Sequence, residues 1–397
     1  MERTGTTISV ARAATVASTC PLRPRSGCIA GRNRLCHRES DMPMNTTEPT
    51  LRLSSNPLSR REFLKLSAAG FLGLFLAGLR RETAQAAAAP PGMQGRVAYN
   101  RIYVYDTPSF HGEQVGTYTR DQVFPIAAQV TGEDETAYNR LWYYVAGEGY
   151  VYSGGVQPVR TVKNKPSANL PQEGALAEVT VPYTEAHEGP GSWYHRRYRL
   201  YYGTTHWVIE AVEAEEGVWY RVYDNNIHDV YFAPAEDLRI VPPEELAPLS
   251  PDVPPDLKYI HVDVRTQTVF AFEDERPVLI SPCATGAKGS RTPLGLFRTF
   301  HKGPTIHMIG RDGKKITYDL PGVPWVSFFT GTGISFHGTY WHNDYGRPQS
   351  NGCVNLPMYA AKFLYRWTTP IVPVSEYYYY RPGEGTTVQV VKSLPGA

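Results

Sequence analysis

The chain has 397 residues, 42% of them hydrophobic and 20% charged, which is ordinary for a protein that builds packed cores and long enough for two or three domains. Its net charge of +2 hides an asymmetry: residues 1–86 hold 13 Lys/Arg against 6 Asp/Glu, which leaves everything after them at −5 and without the basic signature of a nucleic-acid binder. Three of the five cysteines fall at 20, 28 and 36, so only Cys283 and Cys353 remain in the body of the chain, too few for a disulfide framework.

Residues 1–58 are rich in Arg, Ser and Thr, with little apolar periodicity, and read as a disordered stretch or a misplaced gene start. Met42 and Met44 are alternative starts closer to the next signal. Residues 59–86 carry that signal: Ser59-Arg60-Arg61-Glu62-Phe63-Leu64-Lys65, an apolar run from Leu66 to Leu79, then Ala84-Gln85-Ala86. Paired arginines, an apolar stretch and a small-residue cleavage pattern, in that order, are expected to form a twin-arginine export signal. The run is shorter than the ~20 residues a membrane span needs, so no stable span is expected. A buried helix or an uncleaved anchor is the other reading.

Abundant tyrosine (27), with 35 Gly and 33 Pro, points to short strands and many turns, hence a mainly β protein. Residues 96–160 contain Arg101–Tyr105, Leu141–Val145 and Gly149–Tyr152 as strand-like runs. A polar linker follows, roughly 161–174. Residues 175–241 repeat the order loosely, with Val218–Val222, Val230–Pro234 and Leu238–Val241. Both blocks resemble bacterial Src-homology-3-type barrels, which implies two small β-barrel modules. Their aromatic residues either line a wall-binding groove or fill small barrel cores. Residues 242–256 are dense in proline and acid and are expected to be a semi-rigid linker that keeps domains apart.

Residues 257–392 form the last block. Tyr259–Val264 and Thr268–Phe272 alternate as a hairpin, Val278–Pro282 adds a strand, and Gly333–Gly338 reads as a strand that ends at His337. Pro357–Trp367 is the helix candidate. Between strand end and helix lies His337-Gly-Thr-Tyr-Trp-His-Asn-Asp-Tyr-Gly-Arg-Pro-Gln-Ser-Asn-Gly-Cys353-Val-Asn-Leu356. A thiol becomes a nucleophile as thiolate, and an imidazole in reach takes its proton. The start of the helix would depress the thiol pKa further. Gly352 allows a tight turn, and the amides of Gly352 and Cys353 could face an oxyanion.

This stretch, with Thr285-Gly286 and Thr292-Pro293-Leu294-Gly295 upstream, resembles the L,D-transpeptidase catalytic domain. The resemblance implies a β-sandwich with one helix beside the cysteine. It implies Cys353 as nucleophile, His337 as general base, the Gly338 carbonyl as orienter of the imidazole, and Ser350 and Gly352 as the turn around the cysteine. Asn351 departs from the pattern, which usually has His there. The implied reaction is attack of Cys353 on the diamino acid carbonyl of a peptidoglycan tetrapeptide, followed by transfer to the amine of a second stem. The implied partners are donor and acceptor stem peptides and carbapenem-type inhibitors, with no cofactor. Water as acceptor would make a carboxypeptidase or wall hydrolase, and a turn disabled by Asn351 would leave a non-catalytic wall-binding protein.

Other residues keep two readings. Tyr318 either lines a cleft or packs in a core. His342 and Asp344 either touch substrate or are solvated. Arg347 either binds a carboxylate through its planar fork or is an ordinary surface residue. Cys283 reads as core filler. His301, His307, His337 and His342 invite a zinc reading that no H-E-x-x-H or paired-Cys spacing supports, so no metal is expected.

Overall fold

A computed structural model describes residues 87–393. The export signal and the residues before it lie outside that range. All strand runs named above occur, with shifts of a residue or two at some ends. Residues 87–159 form a six-stranded antiparallel sheet and a three-stranded sheet of Val123–Pro125, Gln94–Val97 and Val156–Val159. They close on Val97, Val104, Tyr143, Val145, Val151 and Val156. Residues 175–240 form a seven-stranded antiparallel sheet around Val179, Leu200, Val208, Tyr220 and Val222. Some of the aromatic residues in question take the core reading: Tyr143 and Tyr220 are each 1% exposed and lie within these two cores, whereas others such as Tyr103, Phe110 and Trp193 are exposed.

The strands of the last block are labelled β1–β10. β1 (Lys258–Asp263), β2 (Thr268–Glu273), β3 (Arg276–Pro282), β4 (Gly295–Arg298) and β10 (Thr387–Val391) make one sheet, in the order β3-β2-β1-β10-β4. β5 (His301–Asp312), β6 (Lys315–Phe328), β7 (Ser335–Gly338), β8 (Val354–Leu356) and β9 (Tyr379–Tyr380) make the other, in the order β8-β7-β6-β5-β9. The β1–β10 and β7–β8 pairings are parallel and the remainder antiparallel. Alternation buries Ile260 and Val262 against Val269, Ala271, Val388 and Val390.

The helix α1 (Met358–Trp367) follows Pro357 and buries Ala360, Ala361, Leu364 and Trp367 on one face. Its C-terminal carbonyls are met by two lysines. Lys302 Nζ donates to the carbonyls of Tyr365 (2.6 Å), Thr368 (2.7 Å) and Pro370 (2.9 Å), and Lys258 Nζ donates to those of Leu249, Ser250 and Trp367. A cation at a helix C-terminus satisfies carbonyls that have no partner within the helix.

The segment 242–256 is not a spacer. Leu246 and Leu249 pack on the core of the last block, Glu245 pairs with Arg239 and Lys362, and the Leu249 amide donates to the Arg366 carbonyl. Pro243 and Pro255 each open a short 3-10 turn in this segment, and Arg366 Nε of α1 donates to the Ala247 carbonyl. Leu176, Trp207 and Val241 belong to the same continuous core as Ile260, Phe336 and Leu364.

Candidate active site

β7 supplies Ser335 and His337 to the site, and the turn before β8 supplies Cys353. His337 lies on β7, which runs parallel to β8, the strand that starts one residue after Cys353. That pairing closes the gap of sixteen residues between them. The His337 ring is buried, and its Nδ1–H donates to the Gly338 carbonyl at 3.1 Å, which leaves Nε2 as the acceptor. Cys353 is partly exposed, with Sγ 3.7 Å from both Ser335 Oγ and the Gly333 carbonyl. Burial pushes this thiol up, but hydrogen bonding to His337, the charge of that imidazole and the Ser335 backbone and hydroxyl together bring it below its ordinary value. Strand β8 lies between Cys353 and α1 in the chain. Ser335 was missed in the sequence. Its position two residues before His337 on the same strand, and so on the same face, was the available signal.

The turn that carries the cysteine is held from both sides. Ser350 Oγ donates to the Cys353 carbonyl (2.5 Å) and accepts from the Gly352 amide (3.1 Å). The Gly352 amide, expected from sequence to face an oxyanion, is engaged by Ser350 in this structure. Gly352 has φ +117°, a backbone that side chains rarely adopt. Thr292 Oγ1 accepts from the Gly286 amide (2.9 Å) and donates to the Gly352 carbonyl (2.7 Å). Thr285 accepts at its carbonyl from the Gln349 and Ser350 amides. A Cβ on Gly286 would collide with the Ser290 carbonyl oxygen. The upstream Thr-Gly and Thr-Pro turns are thus the clamp on the cysteine turn. None of these bonds uses the side chain of Asn351, which is exposed.

Tyr318 lies on β6, about one-third exposed, and stands above its ordinary pKa through burial and then through the charge of Cys353. His342 and Arg347 are corrections. His342 is 3% exposed: Nδ1 accepts from the Asp344 amide (3.2 Å), and Nε2 meets the Asn355 side-chain amide at 2.9 Å. Burial holds it down at about 4, so it is neutral and closed off from any substrate. Arg347 is tied to Asp344 at 2.5 Å and lies over the Tyr138 ring. Asp344, fully buried, also accepts from the hydroxyls of Tyr138 (2.6 Å), Tyr152 (2.9 Å) and Tyr99 (3.3 Å). The loop between His337 and Cys353 is therefore packed against residues 99–152, where sequence suggested a solvated or substrate-touching loop.

Cys283 is fully buried and burial pushes its thiol up. His307 is held between Asp224 and Asp319, and His301 lies among Phe328, Tyr378 and Tyr380. Among the described residues no three His, Cys, Asp or Glu side chains are arranged to hold a metal, and no helix is long and apolar enough to cross a membrane.

Residues 257–390 match the family model YkuD, the L,D-transpeptidase catalytic domain. The comparison with curated proteins finds no match. Among solved structures, the Ldtfm–avibactam carbamoyl enzyme is 25% identical, with 34% of this chain and 49% of that chain covered and a TM-score of 0.28. An L,D-transpeptidase from Mycobacterium smegmatis is 22% identical, with 34% and 58% covered and a TM-score of 0.28. The catalytic domain of the Enterococcus faecium L,D-transpeptidase acylated by ertapenem is 24% identical, with 34% and 98% covered and a TM-score of 0.27. The chain thus spans about half the length of the first two of these. Residues 257–390, which carry the fold and the turn described above, are thus similar to the L,D-transpeptidase catalytic domain.

Proposed function

We propose that this protein cross-links peptidoglycan stem peptides through a thioester on Cys353. The observation that carries the reading is the juxtaposition of Cys353 and His337, with the thiol held below its ordinary pKa and the imidazole oriented by the Gly338 carbonyl. His337 Nε2 takes the thiol proton. The thiolate attacks the carbonyl of the diamino acid in a tetrapeptide stem, between its L and D centres. The oxyanion that forms is met by the Cys353 amide, since the Gly352 amide is occupied by Ser350. Collapse breaks the peptide bond, and the imidazolium returns its proton to the departing D-alanine amine. The amine of a second stem then attacks the thioester with His337 again as base, which forms the cross-link and restores the thiol. Tyr318 borders the approach to the sulfur.

The integrity of the turn without help from residue 351 supports an active enzyme over a non-catalytic binder. Nothing in the site selects amine over water as acceptor, and a labelled amine offered with the tetrapeptide separates cross-linked product from trimmed stem. The two N-terminal modules are proposed as Src-homology-3-type barrels and residues 59–86 as the twin-arginine signal, so the reaction would take place outside the cytoplasm.

Ertapenem, the acyl donor in the E. faecium structure, provides the test. Incubation with the purified protein should add one ertapenem mass in intact-mass spectrometry, and Cys353→Ala or His337→Ala should remove it. Iodoacetamide should label Cys353 and spare Cys283. Acylation that persists in Cys353→Ala would sink the assignment.

A further inference from the structure

Two cavities of the described region are lined by several cations, and they differ in what faces those cations. A cleft of about 450 Å³ holds five arginines, but four of them are already paired: Arg96 and Arg199 with Asp121, Arg196 with Glu185 and Arg197 with Asp229. Its field is spent on the protein's own carboxylates.

The second cavity, about 610 Å³, is lined by Arg265, Lys288, Arg291 and Lys392 around an apolar floor that includes Val264 and Leu294. No carboxylate lines it. Among the described residues none of these four cations forms an ion pair; Arg265 Nε donates only to the neutral Ser393 hydroxyl, at 2.7 Å. The nearest acid in sequence, Asp263, is 1% exposed and turns its carboxylate to the amides of Arg265 and Thr266. Four unpaired cations on a body whose net charge is −5 are a local reversal of sign. Leu294 is 57% exposed, so the floor is open to an incoming chain.

The cavity also shares a wall with the cysteine turn. Thr285, Gly286 and Thr292 line it, and these residues hold Ser350 and Gly352 through the bonds described above. One layer of backbone separates the basic cavity from the turn at Cys353.

We propose that this cavity binds the acidic portion of a peptidoglycan stem peptide, with the exposed Arg265, Lys288, Arg291 and Lys392 around it as the cations that meet the carboxylates, while the apolar floor takes neighbouring methyl and methylene groups. This rests on the reading of Cys353 as a wall transpeptidase and adds a carboxylate-recognising subsite to it. A peptide that carries free carboxylates gains charge-assisted hydrogen bonds from unpaired guanidinium and ammonium groups, and does so more strongly at low salt. The amidated form of the same peptide loses that gain.

The test is equilibrium binding to Cys353→Ala protein, where no chemistry intervenes. Isothermal titration compares a disaccharide-tetrapeptide with free carboxylates against the same compound with them amidated. The free acid should bind about tenfold more tightly. That preference should shrink with added salt and vanish in Lys288→Glu/Arg291→Glu, whose positions are both exposed and outside every bond that holds the turn. Equal binding of acid and amide, or a preference that survives the double substitution, overturns the proposal. Tighter binding of poly(glycerol phosphate) than of the free-acid muropeptide, lost in the same double variant, overturns it too, because the cavity would then be a phosphate site. Failure of the unsubstituted protein to be acylated by ertapenem would instead count against the transpeptidase reading and leave the binding result to stand by itself.

Discussion

The two N-terminal regions are attached to the catalytic domain in opposite ways. Residues 175–241 contribute Leu176, Trp207 and Val241 to its apolar core, so that the two share one interior. Residues 87–159 meet it through polar groups. Arg96 donates to the Tyr340 carbonyl (2.5 Å), the Asn343 amide donates to the Gly154 carbonyl, and three tyrosine hydroxyls converge on Asp344. An apolar seam is non-directional and holds wherever surfaces fit. A polar seam holds one geometry and fails when a single group is lost. The first attachment therefore supplies stability, and the second fixes the course of the loop between His337 and Cys353.

Three changes probe that contrast. Trp207→Ala should show the largest effect, a loss of about 3–5 kcal/mol in denaturant unfolding, with the last block and residues 175–241 unfolding together. A small loss confined to residues 175–241 would break the idea of a shared interior. Asp344→Ala should cost roughly 3 kcal/mol, since it strands three tyrosine hydroxyls and Arg347. It should also slow acylation of Cys353 by ertapenem, because the loop loses its anchor. Normal acylation kinetics with full loss of stability would separate docking from the site.

The smallest effect concerns pH. His307 on β5 bridges Asp224 of the preceding region and Asp319 on β6. Burial lowers its pKa, but the hydrogen bonds and charges of the two aspartates outweigh that and raise it above the ordinary value. Its folded pKa thus exceeds the unfolded one, so its stabilisation is complete below about pH 6.5 and is lost as pH rises through the folded value. Melting temperatures should fall over that window in the wild type and stay flatter in His307→Gln. Parallel curves for the two proteins would show that the bridge contributes nothing.

Much of the fold could be read locally. The hairpin β1–β2 follows from alternation over Tyr259–Phe272, and α1 from Pro357 ahead of good helix formers. The longest element, the β5–β6 hairpin, could not. Gly303, Pro304, Gly310, Pro321 and Pro324 interrupt any strand pattern, and shifts of register at Ile306/Met308 and Gly310/Arg311 absorb them in the folded hairpin. Cys353 and His337 were legible because their chemistry is written in residue type and in the order of the glycines around them. His342 and Arg347 were misjudged for the opposite reason, since a loop sequence carries no sign of what will cover it.

Residue types and their order are enough to read a mainly β chain, a lone useful thiol with an imidazole upstream, and the Thr-Gly and Thr-Pro turns that accompany them. It takes the folded chain to lay β7 beside β8, to clamp the Gly352 carbonyl with Thr292, to bury Asp344 as an anchor and to leave four cations around Leu294 with no acid to face. Residue identity sets what a group can do, whereas pairing, burial and charge balance are fixed by neighbours tens to hundreds of positions away, which no local pattern records.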